Sequence, residues 1–192
     1  VRHIGDPMPG AKIVNTTSRA SSRWERSLSP FFLGPCDLYD DFHAVLVENA
    51  WQFSKLYPVH ADKNGEPTKY HWDWAKRGYA SVRAHRYPMG RRARPLCSLW
   101  EGERLGYVEA RKRIYVPLYA EAVIKTDGWL RLYRSFRGGG TICLLDFDAY
   151  DYGAEELTLK QVLNDPERKM GHAFVLAMLL LDDDALEETD FR

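Results

Sequence analysis

The sequence predicts an α+β fold, mainly helical, in a single compact domain with a few short strands. Three observations lead there. The chain has 192 residues, of which 45% are hydrophobic and 13% aromatic, which suits one domain with a substantial core rather than a disordered chain. Helix-like segments recur over residues 43–57, 69–86, 100–125, 129–136 and 165–181. Only one stretch, Thr141-Ile142-Cys143-Leu144-Leu145, has the short, continuous apolar composition of a buried strand.

Taken in order, residues 1–27 are polar and punctuated by Gly and Pro, and read as a loosely ordered arm. Leu28-Ser29-Pro30-Phe31-Phe32-Leu33-Gly34-Pro35 is a shaped loop, because proline suits neither a helix interior nor a central strand. Its two Phe either seal a core edge or form a stacking wall for a ligand. The helix over 43–57 ends before Pro58, and the polar loop 58–68 carries turn chemistry at Asn64-Gly65. Residues 69–86 place Tyr70, Trp72, Trp74 and Tyr79 among Lys and Arg, and Met89–Pro95 is a basic turn. Helical spacing runs from Trp100 to Lys125, with Pro117 expected to end or kink it. A shorter helix spans 129–136. Gly138-Gly139-Gly140 lacks the Lys-Ser/Thr of a phosphate-binding loop and is read as a turn into the strand. Asp165 is the expected N-cap of the last helix, with Pro166 at its first position and Gly171 permitting close backbone approach. The boundaries are thus an arm over 1–27, a domain over 28–181 and a solvated acidic tail over 182–192.

Several function classes find no motif. The six histidines are scattered, and Cys36, Cys97 and Cys143 are far apart, so neither a metal knuckle nor a disulfide framework is expected. No GxSxG and no dinucleotide-binding glycine pattern occurs, and no cofactor is expected. The longest apolar run, Phe174 to Leu181, is too short to span a bilayer. A soluble, cytoplasmic protein with no membrane partner is expected. Lys plus Arg and Asp plus Glu balance at 27 each. The balance is uneven along the chain: residues 76–137 carry fifteen bases against five acids, and 146–190 thirteen acids against three bases. One surface could therefore attract DNA or RNA phosphates although the whole chain is neutral.

Two clusters carry chemistry. In Glu48-Asn49-Ala50-Trp51-Gln52-Phe53-Ser54-Lys55, a helix would stack Glu48, Gln52 and Lys55 at i, i+4 and i+7, beside Trp51. Val45, Leu46, Val47, Ala50 and Phe53 make that helix apolar on most sides, so its polar groups must pair or face a ligand. The alternative is a solvated charged stripe. In Asp146-Phe147-Asp148-Ala149-Tyr150-Asp151-Tyr152-Gly153, carboxylates follow a strand and could project into a cleft, or simply mark a solvated strand exit. Arg91 and Arg92 in the basic turn could grip phosphate through forked donors, or be solvated.

These stretches, in this order, resemble the NADAR family, whose name refers to NAD and ADP-ribose chemistry. In that family an aromatic Ser-Asn-Phe loop precedes a helix reading roughly Glu-His-x-x-Gln-x-x-Lys-Phe. Leu28-Ser29-Pro30-Phe31 and Glu48 to Leu56 match it, with the Glu, Gln and Lys spacing kept. Gly90-Arg91-Arg92 and Trp100 correspond to a Gly-Arg turn before a Trp-bearing helix. Asp148 to Gly153, and then Met170 to Met178, resemble Asp-x-Tyr-Trp-Gly followed by Asn-x-Leu-Gly-x-x-Leu-Met. The resemblance covers residues 28–181. Pro30 replaces the family's Asn, Asn49 its His, and Arg168 its late Asn; the Trp-Gly pair has become Asp151-Tyr152-Gly153, one residue longer.

The resemblance implies an N-glycosidase acting at a ribose–base bond, removing ADP-ribose from a modified guanine in nucleic acid. Lys55 would be the nucleophile at the anomeric carbon, through a Schiff-base-like intermediate. Glu48 would be a general acid/base or ribose anchor, and Gln52 would position the sugar. Asp148, counted with the catalytic groups, and Tyr150 would complete the ribose pocket. Phe31 or Trp51 would stack on a base, Arg91 or Arg92 would meet phosphate, and Asn49, Trp100, Tyr152 and Gly153 would line the ligand site. Burial beside Trp51 and Phe53 would lower the Lys55 pKa, whereas Glu48 would hold the amine protonated. The alternatives are a non-catalytic binder of a nucleotide or ADP-ribose, and a DNA-base-modification enzyme using the same pocket.

Overall fold

The structure, a computed structural model, describes residues 1–191. Its elements are short and numerous, and the class is α+β with helix predominating. In chain order they are β1 (Arg2–His3), β2 (Lys12–Asn15), α1 (Arg23–Arg26), β3 (Cys36–Asp37), β4 (His43–Ala44), α2 (Val47–Phe53) and β5 (Lys55–Leu56). Then follow α3 (Lys69–Tyr79), β6 (Cys97–Trp100), β7 (Glu103–Leu105), α4 (Tyr107–Ala110), α5 (Val116–Val123) and α6 (Asp127–Arg137). The last are β8 (Ile142–Asp146), α7 (Leu159–Asn164) and α8 (His172–Leu181). A π-helical stretch, Arg111–Tyr115, joins α4 to α5, and Asp184–Glu188 forms a 3-10 turn. No helix among the described residues is long and apolar enough to cross a membrane.

The N-terminal arm is corrected to an integral part of the domain. β1 and β2 flank β8 in a parallel sheet, with Lys12 to Asn15 in register with Ile142 to Leu145. A strand of two to four residues has too few positions for alternation to show. Two antiparallel sheets, β3–β4 and β5–β6–β7, complete the strands. α8 runs through the core: His172 to Met178 and Leu180 are buried, apolar on every face as a central helix must be. The acidic tail is likewise docked, because Ala185 is buried and Glu188 meets Lys112 at 3.0 Å.

Four further expectations change. The helix expected over 43–57 is only Val47–Phe53, since Lys55 and Leu56 pair with Ser98 and Cys97 of β6. Trp100 belongs to a hairpin rather than a helix: Glu101 and Gly102, both at positive φ, turn β6 into β7. Pro117 neither ends nor breaks the helix there. The Val116 N–H donates to Arg111 five residues back, and the π register shifts the ladder just before the residue that lacks a donor. Asp165 caps only a turn, accepting from the Glu167 and Arg168 N–H groups; α8 begins at His172, with Gly171 as its N-cap. Gly171 does permit close approach, because a Cβ there would lie 2.1 Å from Asp146 Oδ2. α7, with a capping box between Thr158 and Gln161, comes just before the Asp165 turn.

Candidate functional site

The site is built on α2. Leu46 offers no side-chain cap, so the 28–35 loop satisfies the first donors of the helix: Val47 N–H donates to Leu33 O and Glu48 N–H to Pro30 O. Phe31 is thereby held, half-buried, at the Glu48 end. Along the helix, Gln52 Nε2 donates to Glu48 Oε1 at 2.9 Å. Lys55 is no longer helical, yet β5 returns its Nζ to Gln52 Oε1 at 2.8 Å. The amine lies 4.4 Å from the centre of the Trp51 ring, and the Tyr115 ring lies 5.2 Å from that ring. Glu48, Gln52, Lys55 and Trp51 therefore come together.

Burial sets the electrostatics. It pushes the Glu48 carboxyl up, against the Gln52 hydrogen bond and the positive charges of Lys55, Arg86 and His172. It also lowers Lys55 to about 8, against the attraction of Glu48. Glu48 does favour the ammonium, but desolvation is the larger effect. Its second oxygen accepts no hydrogen bond among the described residues. Only His60 Nδ1 and His71 Nδ1 are fully enclosed side-chain polar atoms without a partner there. The free Glu48 oxygen is therefore not fully enclosed, although the residue is buried.

The second cluster is divided. Asp148 pairs with Arg86 at 2.7 Å and approaches Lys169 at 4.0 Å, and the same two cations act on Glu48 and Lys55. Asp148 thus stands at the rim. Tyr150 and Tyr152 pack on Phe174 of α8, with Arg168 over the Tyr150 ring, and so serve packing rather than the ligand contact expected of them. Gly153 lies in the turn beyond them. Asp146 is buried, 3.0 Å from His172 Nδ1, and accepts from the Phe147 and Ala173 N–H groups.

Other expected ligand contacts are also reassigned. The Asn49 amide is used up by main chain, donating to Ser81 O and Arg83 O and accepting from His85 N–H. It clamps the loop that carries Arg86. Trp100 is core, edge-on to Tyr39 at 4.9 Å. Arg91 and Arg92 are exposed, Arg91 lying over the Tyr87 ring at 5.7 Å.

Arg86, Lys169, His172 and Tyr115 were not singled out as site residues. Each reaches the site from another element, so no local spacing signals it. The Arg111–Tyr115 π stretch that brings Tyr115 in leaves only Pro117 as its sequence mark.

The site is thus a buried acid and a half-buried amine linked through one amide beside an aromatic ring. Residues 1–175 match the family described as a family of unknown function, DUF6939, and the chain belongs to that family. The match takes in β1 and β2 as well as the site. No curated protein matches.

Proposed function

We propose that the protein cleaves the N-glycosidic bond between a ribose and a base, and that it removes ADP-ribose from a modified guanine in nucleic acid. The resemblance to the NADAR family suggests the reaction. The observation that carries it is the buried Glu48–Gln52–Lys55 chain, whose amine is lowered to about 8. At pH 7 roughly a tenth of such an amine is neutral, against well under a thousandth for an ordinary lysine.

The neutral Lys55 amine attacks the anomeric carbon. The carbon–nitrogen bond to the base breaks, its electron pair passes to the base, and the protonated Glu48 supplies the proton the base takes up. The new ammonium returns a proton to Glu48. The ring C–O bond then breaks as the nitrogen lone pair forms a protonated imine, and Glu48 passes its proton to the ring oxygen. Water hydrolyses the imine, releasing the sugar and restoring the amine. Arg86 and Lys169 at the rim suit a diphosphate, and Trp51 supplies an apolar wall.

The test is mass spectrometry of an ADP-ribosylated guanosine oligonucleotide incubated with wild type and Lys55→Ala, with borohydride in a parallel reaction. The expected result is loss of ADP-ribose with wild type alone and a reduced adduct on Lys55. Full activity in Lys55→Ala rejects the mechanism, and an oligonucleotide untouched by wild type rejects the substrate.

A further inference from the structure

We propose that Tyr115 is a substrate-contacting residue of this site, its hydroxyl donating a hydrogen bond to a ribose oxygen held between Trp51 and Glu48. The proposal rests on the reading of the site as one that takes a ribose. The first observation is the fate of two tyrosines one turn apart. Tyr115 and Tyr119 stack at 6.2 Å, and both are buried. The Tyr119 hydroxyl donates to Leu28 O at 2.6 Å and is spent on the fold. The Tyr115 hydroxyl has no hydrogen-bond partner among the described residues, although the side chain is 7% exposed. It is not among the fully enclosed orphan atoms, so, like the free Glu48 oxygen, it keeps a trace of accessible surface.

The second observation is how the backbone brings it there. The extra residue of the π stretch rotates everything after it by about a quarter-turn or more relative to an uninterrupted helix. Arg111, at the start of that stretch, is 1% exposed and donates to the carbonyls of Val162, Leu163, Asp165 and Arg168. A guanidinium so committed locks the stretch in place, with the Tyr115 ring 5.2 Å from the Trp51 ring that Lys55 also meets. Burial, and then the negative charges of Glu48, Asp146 and Asp148, hold the phenol well above its usual range. It is therefore a neutral donor throughout the working pH range. A donor suits a sugar oxygen and complements Glu48 as acceptor.

The test uses the full chain with free ADP-ribose, which presents an aldehyde on ring opening, and cyanoborohydride to reduce any imine on Lys55. Formaldehyde is the second probe, since it reaches the amine without a ribose contact. Tyr115→Phe removes only an unpartnered hydroxyl and is expected to melt with wild type. Its Lys55 adduct with ADP-ribose should form about tenfold more slowly, while formaldehyde labelling of Lys55 is unchanged. Equal ADP-ribose rates overturn the proposal, as does an equal loss with both probes, or a wild type that forms no ADP-ribose adduct on Lys55. A tenfold loss in the variant, with wild type leaving the ADP-ribosylated oligonucleotide intact, rejects the glycosidase reading and supports the Tyr115 contact.

Discussion

Among the described residues, two acid–base pairs are wholly or largely withdrawn from solvent, and they are finished differently. Asp146 and His172 join the end of β8 to the start of α8. The carboxylate accepts two main-chain N–H groups besides the imidazole, and His172 Nε2 donates to Thr16 O at 2.8 Å. Burial disfavours both charges, yet these partners hold Asp146 below its ordinary value and His172 above its own. In Glu48 and Lys55 burial prevails: the acid is pushed up and the amine down, and one carboxylate oxygen is left open. A buried pair with every group satisfied fastens the fold. One left incomplete is stressed toward exchanging a proton, which is what a reactive site requires.

The largest effect that could break this contrast is on stability. His172→Gln removes the counter-charge of Asp146 and should cost about 3–5 kcal/mol, read by urea or thermal unfolding. Glu48→Gln should change stability by less than about 1 kcal/mol, because the carboxyl it replaces is already disfavoured as a charge. Equal losses in the two variants would erase the distinction.

A pH series sharpens it. The Lys55 pKa is about 8 folded and 10.5 in its ordinary state, so between those values the unfolded chain binds more protons and stability rises with pH. Relative to Lys55→Met, wild type should gain up to about 3 kcal/mol across that window. The opposite trend belongs to His172: raised in the fold, its contribution is complete below pH 6.5 and is lost as pH passes its folded value. Unfolding curves of wild type, Lys55→Met and His172→Gln at stepped pH would separate the two. A flat Lys55→Met difference curve would count against a depressed amine.

A more local effect concerns the support of the Glu48–Lys55 pair. Asn49→Ala frees the Ser81–His85 main chain and should cost about 1–3 kcal/mol, loosening Arg86 and slowing the proposed reaction while the Asp146–His172 junction is untouched. Hydrogen exchange at His85 should rise in that variant alone. Unchanged protection there would mean that the loop is held by something else.

How much of this was legible follows from how local each signal is. The Glu48, Gln52 and Lys55 grouping could be read because four-residue spacing survives even a seven-residue helix. The lysine was placed with its partners although the helix stops short of it; its strand pairing with Ser98 lies too far along the chain to be read. The mainly helical class was legible from long apolar stretches such as α8. β1 and β2 were not, because their pairing is decided by β8 at the other end of the sequence. Asn49 and Trp100 looked like ligand contacts since residue type alone does not separate a clamp from a pocket wall. Asp165 carried a sound helix-start signature, and its carboxylate does cap N–H groups, but the chain straightens toward Gly171, whose N–H donates to Asp148 O.

The parallel sheet also sets an order of events during synthesis. β1 and β2 are made first but hydrogen-bond on either side of β8, so neither has its partner until most of the chain has emerged. Such distant pairing makes folding slow and leaves the early strands exposed meanwhile. The ribosome would thus release the helical middle of the protein, α2 included, before β8 is available to pass between the two early strands.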